Sequence, residues 1–175
     1  MDNSEGVDKG IVTVEIVIAV LESGHSVELP ATGYSMFPTL KPGDRVVVKP
    51  LPKIELPMIG SVVVFEVNGP TEEGAGHRAQ GTEHNSVLVM HRLVDIKHDD
   101  SGNPLLITRG DTEMENDKPW VQQQLIGAAV SYKRCGKERL VKVFVPGVRR
   151  YKYNRRVLWV VNKISRVIGI TALAL

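Results

Sequence analysis

The sequence contains a single cysteine, Cys135. One thiol excludes an internal disulfide framework and leaves no partner for thiolate zinc or dithiol redox chemistry. A reducing compartment is compatible with that. The first nine residues, Met-Asp-Asn-Ser-Glu-Gly-Val-Asp-Lys, are acidic and polar, a poor n-region for a secretory signal. No N-terminal bilayer anchor is expected either. Residues 11–21 form a run of only eleven that includes Glu15, whereas a span needs about 20 apolar residues. From Lys142 to Leu175 there is no acidic residue at all, against eight basic ones. That segment carries +8 of a total of +2, which leaves −6 on residues 1–141. A basic segment on an acidic body predicts an anionic surface as partner, lipid or nucleic acid.

The 175 residues fit one domain, or one domain with a small appendage. Apolar side chains at Ile11, Val14, Ile18 and Leu21 recur at helical spacing, although the valine and isoleucine content also admits a strand. Gly24 is a natural stop, so a helix is expected over 10–23. Short β-branched runs follow at Val27–Thr32, Arg45–Lys49, Ser61–Val67, Val87–Ile96, Pro104–Arg109, Leu125–Lys133 and Leu140–Val145. Turn residues separate them, including Asn68-Gly69 and Ser101-Gly102-Asn103-Pro104. Seven strands without interleaved helices predict a mainly β fold. The expected parts are an N-terminal helix in 1–24, an all-β core over 25–146 and a basic amphipathic segment over 147–175. Residues 69–86 read as a long polar loop. Its His77 and His84 lack nearby cysteines and read as solvated side chains, so no metal site is expected. Arg109-Gly110-Asp111 matches an adhesion tripeptide, but it stands at a strand end and such tripeptides recur by chance.

The chemistry concentrates in residues 33–48, Gly-Tyr-Ser-Met-Phe-Pro-Thr-Leu-Lys-Pro-Gly-Asp-Arg-Val-Val-Val. Gly33 permits a sharp bend, and Pro38 pushes Phe37 toward extended geometry. Ser35 on such a constrained turn is held in a fixed direction, as a nucleophile requires. A serine is weak at its free pKa and needs a base. His91 lies inside an apolar strand, on the face of Val87, Val89 and Leu93. Taken alone, such a histidine is more often a packed core residue. Beside a nucleophilic serine it becomes a rigid, partly desolvated base. A third group would fix its tautomer, and Asp111, Glu113, Glu115 and Asp117 all stand in the following loop. Spacing alone does not choose among them.

Taken in order, these blocks resemble a known family. Gly-Tyr-Ser-Met-Phe-Pro-Thr-Leu, Gly-Asp-Arg-Val-Val-Val and Ile59-Gly60-Ser61-Val62-Val63-Val64-Phe65 are similar to the type I signal peptidase group of serine peptidases. His91-Arg92-Leu93-Val94, Thr108-Arg109-Gly110-Asp111 and Leu125-Ile126-Gly127 continue the series, over residues 27–130. Common bacterial signal peptidases and LexA-like self-cleaving repressors use a lysine where this chain has His91. Archaeal, endoplasmic-reticulum and sporulation-type enzymes use a histidine followed by arginine, and Met90-His91-Arg92 resembles that branch. The resemblance implies a LexA/signal-peptidase-like β core with Ser35 as nucleophile and His91 as base. In that branch the acid stands six residues after the aspartate of the Arg-Gly-Asp block. The resemblance therefore implies Asp117 as the orienting carboxylate and Asp111 as a structural one at the site's edge.

The expected activity is endopeptidase cleavage of an extended peptide or precursor protein, with no cofactor. A catalytically weak peptide-binding or regulatory module of the same fold is the alternative. A LexA-like repressor is disfavoured, because the lysine base and an N-terminal DNA-binding domain are lacking, and no nucleic acid partner is expected. The chain departs from many signal peptidases at Gly33, where they place a serine that helps hold the oxyanion. The backbone N–H of Ser35 and a contribution from Thr32 would then form the oxyanion hole. Pro30 beside the nucleophile turn departs as well and bears on peptide pairing. Arg149 to Arg156 packs five cations and two tyrosines into eight residues. Asn162, Lys163, Ser165 and Arg166 in the apolar stretch behind it argue against a bilayer span. On a helix, Asn162, Arg166 and Gly169 share one side, and Val157, Val161, Ile164 and Ile168 lie on another. The segment is expected to lie on an anionic membrane or, as the alternative, to pack on the sheet. A cytoplasmic or peripheral membrane location follows as the expectation.

Overall fold

A computed structural model describes residues 14–52, 55–68 and 86–167. Two helices and eight strands make up the described chain. They are α1 (Val14–Glu22), β1 (Val27–Pro30), β2 (Arg45–Lys49), β3 (Val62–Asn68), β4 (Ser86–His98), β5 (Pro104–Arg109), β6 (Trp120–Val121), β7 (Leu125–Arg134), β8 (Lys137–Leu140) and α2 (Val148–Val167). The strands form one sheet in the order β1-β2-β7-β3-β4-β5-β6, with β8 attached to β7. Every pairing is antiparallel. The fold is therefore mainly β with one helix on each flank of the sequence.

β3 sits near the middle of the sheet and explains why its sequence is apolar without alternation. Successive side chains of a strand point to opposite faces. Val62 and Val64 enter one core, where α1 contributes Val17 and Leu21. Val63 and Phe65 enter the other, with Leu93 and Leu106. Trp120 closes this second core by stacking on Phe65, with ring centroids 5.0 Å apart and planes 15° from parallel. Sequence periodicity placed Ile18 on the inner face of α1. The buried residues are Val17 and Leu21, and Ile18 is only half-buried. Gly24, at φ +86°, ends the helix as expected.

Two strands differ from the sequence reading. Leu140–Val145 is not a strand. The chain instead reverses at Cys135-Gly136, where both residues have positive φ (50° and 72°), and β8 runs from Lys137 to Leu140. Such a two-residue turn matches the twist of a hairpin. Cysteine is not a usual residue for its first position, so Gly136 was the turn's one sequence signal. Beyond β8, Val141 and Phe144 keep isolated bonds to Val130 and Gly60 rather than a ladder. β6 is two residues long, too short for periodicity to reveal. The histidines at 77 and 84 lie outside the described residues.

The first turns of α2 pack on the end of β5. Tyr151 and Asn154 are buried. The Arg109 guanidinium lies 3.8 Å from the Tyr151 ring centroid. Asn154 Nδ2 donates to the Asp111 carbonyl at 3.0 Å. Further along, Trp159, Val160, Val161 and Ile164 are exposed. The helix is thus docked in its first half. Among the described residues no helix is long and apolar enough to cross a membrane. Tyr151→Ala is expected to cost about 3–5 kcal/mol, the range for deleting a buried aromatic ring. Chemical denaturation reads this directly, and an unchanged midpoint would mean that α2 is not anchored by this residue.

Candidate active site

The Ser35 turn is anchored on both sides. Met36, Phe37 and Leu40 are buried and fix its apolar side. Phe37 N–H donates to Tyr34 O at 3.0 Å and Leu40 N–H to Met36 O at 2.9 Å, while the Phe37–Pro38 bond is cis. The loop after β5 grips the turn from outside. Thr112 donates to the Ser35 carbonyl through its N–H (2.9 Å) and its hydroxyl (3.0 Å). Gly110 lies against the same carbonyl, and a Cβ there would stand 2.9 Å from Ser35 O and from the Glu113 carboxyl carbon. Glycine is therefore required at 110 for close packing. That gives the Arg-Gly-Asp tripeptide a structural role.

β4 supplies His91, opposite Val63 of β3. Its Nδ1 lies 2.7 Å from Oδ2 of Asp117, and both side chains are largely buried. Asp117 is held in turn by its own N–H, which donates to Thr108 O at 2.9 Å. Burial disfavours the imidazolium, but the hydrogen bond and charge of Asp117, with Glu113 and Asp111 behind, outweigh it and raise the His91 pKa above the usual value. Burial likewise pushes the Asp117 carboxyl up, and the bonds from His91 and Thr108 overcome it, so this pKa is lowered.

Asp111 faces away from His91. Its two carboxylate oxygens take Nε and Nη2 of Arg92 at 2.7 and 2.8 Å. Arg92 is fully buried, and its remaining N–H groups reach Gly60 O (2.7 Å), Lys142 O (2.9 Å) and Thr39 Oγ1 (3.3 Å). The Thr39 hydroxyl also donates to Asp111. The four carboxylates that spacing left open are thus separated. Asp111 completes a buried ion pair, Asp117 meets His91, and Glu113 accepts from Gly110 N–H at 3.3 Å. Glu115 is exposed.

Ser35 and His91 line one cleft of about 410 Å³, together with Leu29, Pro30, Thr32 and Gly33 from the chain around β1, and Leu88 from β4. Thr32 and Gly33 are exposed at its edge. The ligand atoms of His91, Glu113 and Asp117 lie within 4.8 Å of one another, the one described group able to hold a cation. Sequence reasoning did not find Thr39, Thr108, Thr112 or Trp120 as supports, and used Arg92 only as a mark of resemblance. Their contacts cross long stretches of chain, so no local pattern announces them.

Asp111→Asn and Asp117→Asn should therefore separate. Removing one partner of a buried ion pair typically costs about 3–5 kcal/mol, so Asp111→Asn is expected to lower the unfolding midpoint sharply. Asp117→Asn, at a partly exposed position, is expected to fold near normally. Equal midpoints in denaturant would refute this division.

No protein-family model matches the chain, and neither does any curated protein.

Proposed function

We propose that this chain is a serine endopeptidase of the signal-peptidase-like (S24/S26) type, built on a LexA/signal-peptidase-like β core. One observation carries the reading: Ser35 and His91 share a cleft while Asp117 sits 2.7 Å behind the far ring nitrogen of His91. Ser35 Oγ attacks the scissile carbonyl as His91 Nε2 takes the hydroxyl proton. The tetrahedral species collapses, the C–N bond breaks, and His91 returns the proton to the leaving amine. Water, deprotonated by His91, then releases the acyl group and regenerates Ser35. Asp117 stabilises the imidazolium in both steps. The Ser35 N–H, with Thr32 nearby, would meet the oxyanion. No cofactor takes part.

The substrate is an extended peptide. β1 is a terminal strand of the sheet, and β5 pairs with β4 only from Arg92 onward. Among the described residues this leaves an open edge along 88–91, across the cleft from residues 29–33. A peptide could add there as a strand, with main-chain bonds for affinity and the apolar cleft for side chains. The weak or inactive module stays as the second reading, favoured by one observation. Apart from its flanking residues, no described atom comes within 4 Å of where a Gly33 side chain would stand, so no other described segment fills the place of the absent serine hydroxyl.

A serine-reactive phosphonate decides between them. Labelling at Ser35, prevented by His91→Ala, is expected, and the Ser35→Ala and His91→Ala variants should each abolish peptide cleavage. The base must be neutral to act, and its pKa is raised. The acid limb of kcat/KM should therefore lie above the usual imidazole value of about 6.5. The same sign means that the stability from the charged pair is present below that pH and is lost as pH rises through the raised value. Absence of labelling in folded protein would favour the binding module.

We also propose peripheral contact of α2 with anionic membranes, from the cytoplasmic side. Trp159 is 63% exposed, with the Lys163 ammonium 5.0 Å from its ring centroid. Lys152, Arg155, Arg156, Trp159 and Met114 line a cleft of about 380 Å³. Cations beside exposed apolar groups suit lipid headgroups and the acyl boundary. Arg155→Glu with Arg156→Glu spares Tyr151 and Asn154, so the helix stays docked. That variant should lose sedimentation with phosphatidylserine vesicles, and wild-type binding should weaken with salt. Equal binding to neutral vesicles would refute the proposal.

A further inference from the structure

We propose that Thr108 and Trp120 are positioning residues that fix the proton of His91 on Nδ1, acting through Asp117. The groups that can donate set the direction. An indole N–H donates and never accepts. Trp120 Nε1 lies 2.7 Å from Thr108 Oγ1, so the threonine hydroxyl accepts there. That hydroxyl has one proton, which is left pointing at Oδ2 of Asp117. Oδ2 accepts it, and the same oxygen faces Nδ1 of His91 at 2.7 Å. An oxygen that carried its own proton toward His91 would be a poor acceptor for Thr108. The chain of donors therefore runs one way, from indole to hydroxyl to carboxylate, and the ring must meet the carboxylate with Nδ1–H. In the neutral imidazole this leaves Nε2 as the acceptor, the state a base for Ser35 requires.

The direction is built into rigid elements. Thr108 is fully buried near the end of β5. Trp120 is held in β6 opposite Leu106 and stacked on Phe65. Asp117 is tied to Thr108 a second time, through its own N–H. Without the threonine hydroxyl, Asp117 would lose a donor and the indole N–H would lose its acceptor. The carboxylate could then turn or take up a proton. Asp117, Glu113 and Asp111 are the charged groups that act on His91, and only Asp117 touches both the ring and this relay.

The proton placement does not depend on peptidase activity. Its catalytic consequence rests on the proposed function. Nitrogen NMR of histidine-labelled protein reads the tautomer and titration of His91 directly. The wild type is expected to carry Nδ1–H when neutral. Thr108→Val should move the titration to lower pH and populate Nε2–H. Thr108→Ser should restore both. In a cleavage assay Thr108→Val should lower kcat about 10-fold or more, a part of the usual general-base contribution, with KM little changed. Trp120→Phe keeps the stack, removes the donor, and should shift the tautomer in the same direction by less. It serves if the valine variant does not fold. The proposal is overturned if folded Thr108→Val or Trp120→Phe leaves the His91 tautomer and titration as in the wild type. Expected NMR shifts in a protein that cleaves no peptide would uphold the relay and remove the peptidase reading.

Discussion

The guanidinium of Arg92 holds the site together. A cation with no exposed surface is tolerated only where its donors are all met. Its five N–H groups are met by Asp111, Thr39, Gly60 and Lys142. Four segments distant in sequence therefore converge on one planar fork, and its face is covered by the Phe144 ring at 4.4 Å. Strand alternation does the rest. Because Arg92 follows His91 in β4, fixing one on its face fixes the other on the opposite face. The acceptor Asp111 lies next to Thr112, which holds the Ser35 carbonyl, and its own carbonyl takes Asn154 of α2. The Ser35 turn, the His91 strand and the C-terminal helix are thus referred to a single ion pair.

Two aspartates six residues apart do opposite work because their surroundings differ. Asp111 is almost wholly buried, and its charge is matched by a bidentate arginine. Such a pair is expensive to desolvate and expensive to break, which suits a fixed joint. Asp117 is less buried and faces a group that can gain or lose charge. Burial works against ionisation at both members of the His91–Asp117 pair, and each is ionised more readily chiefly because the other stands beside it, with Glu113 and Asp111 adding to the first and Thr108 to the second. That interdependence suits a pair that passes through an imidazolium, and would be of little use in a permanent structural link.

Much of this was legible in the sequence, for particular reasons. β2 and β3 are dense in valine, and a strand buried on one or both faces leaves that mark. Ser35 and His91 stood out because each sits at a constrained position of a distinctive type. The choice of Asp117 over Asp111 was not legible from spacing, since a loop of four carboxylates has no periodicity. The resemblance suggested it, and of the four carboxylates it is Asp117 that lies 2.7 Å from Nδ1 of His91. His91 shares its face with Val87 and Val89, opposite Val63, Phe65 and Val67, but burial along that face is uneven: Leu93 is fully buried while Val87 is exposed. The hairpin at Cys135-Gly136 and the short β6 were missed, the first because Gly136 alone marks it and the second because two residues carry no pattern. Thr108 and Trp120 were invisible because their meaning is a hydrogen-bond direction, fixed only once the sheet brings β5 and β6 together.

The C-terminal helix divides by what its neighbours can satisfy. In its first turns the inward positions carry Tyr151 and Asn154, and the core offers a guanidinium for the ring and a carbonyl for the amide. A single neutral hydrogen bond contributes only about 1 kcal/mol net, so the ring contributes most of the docking. Farther along, the apolar side chains of Val160, Val161 and Ile164 are left at the surface. At about 100° per residue Val160 stands opposite Tyr151, so the register that buries Tyr151 turns it outward. Val161, seven residues beyond Asn154, lies on the docked side and is exposed all the same. The distal half of α2 therefore presents apolar and cationic groups at the surface together.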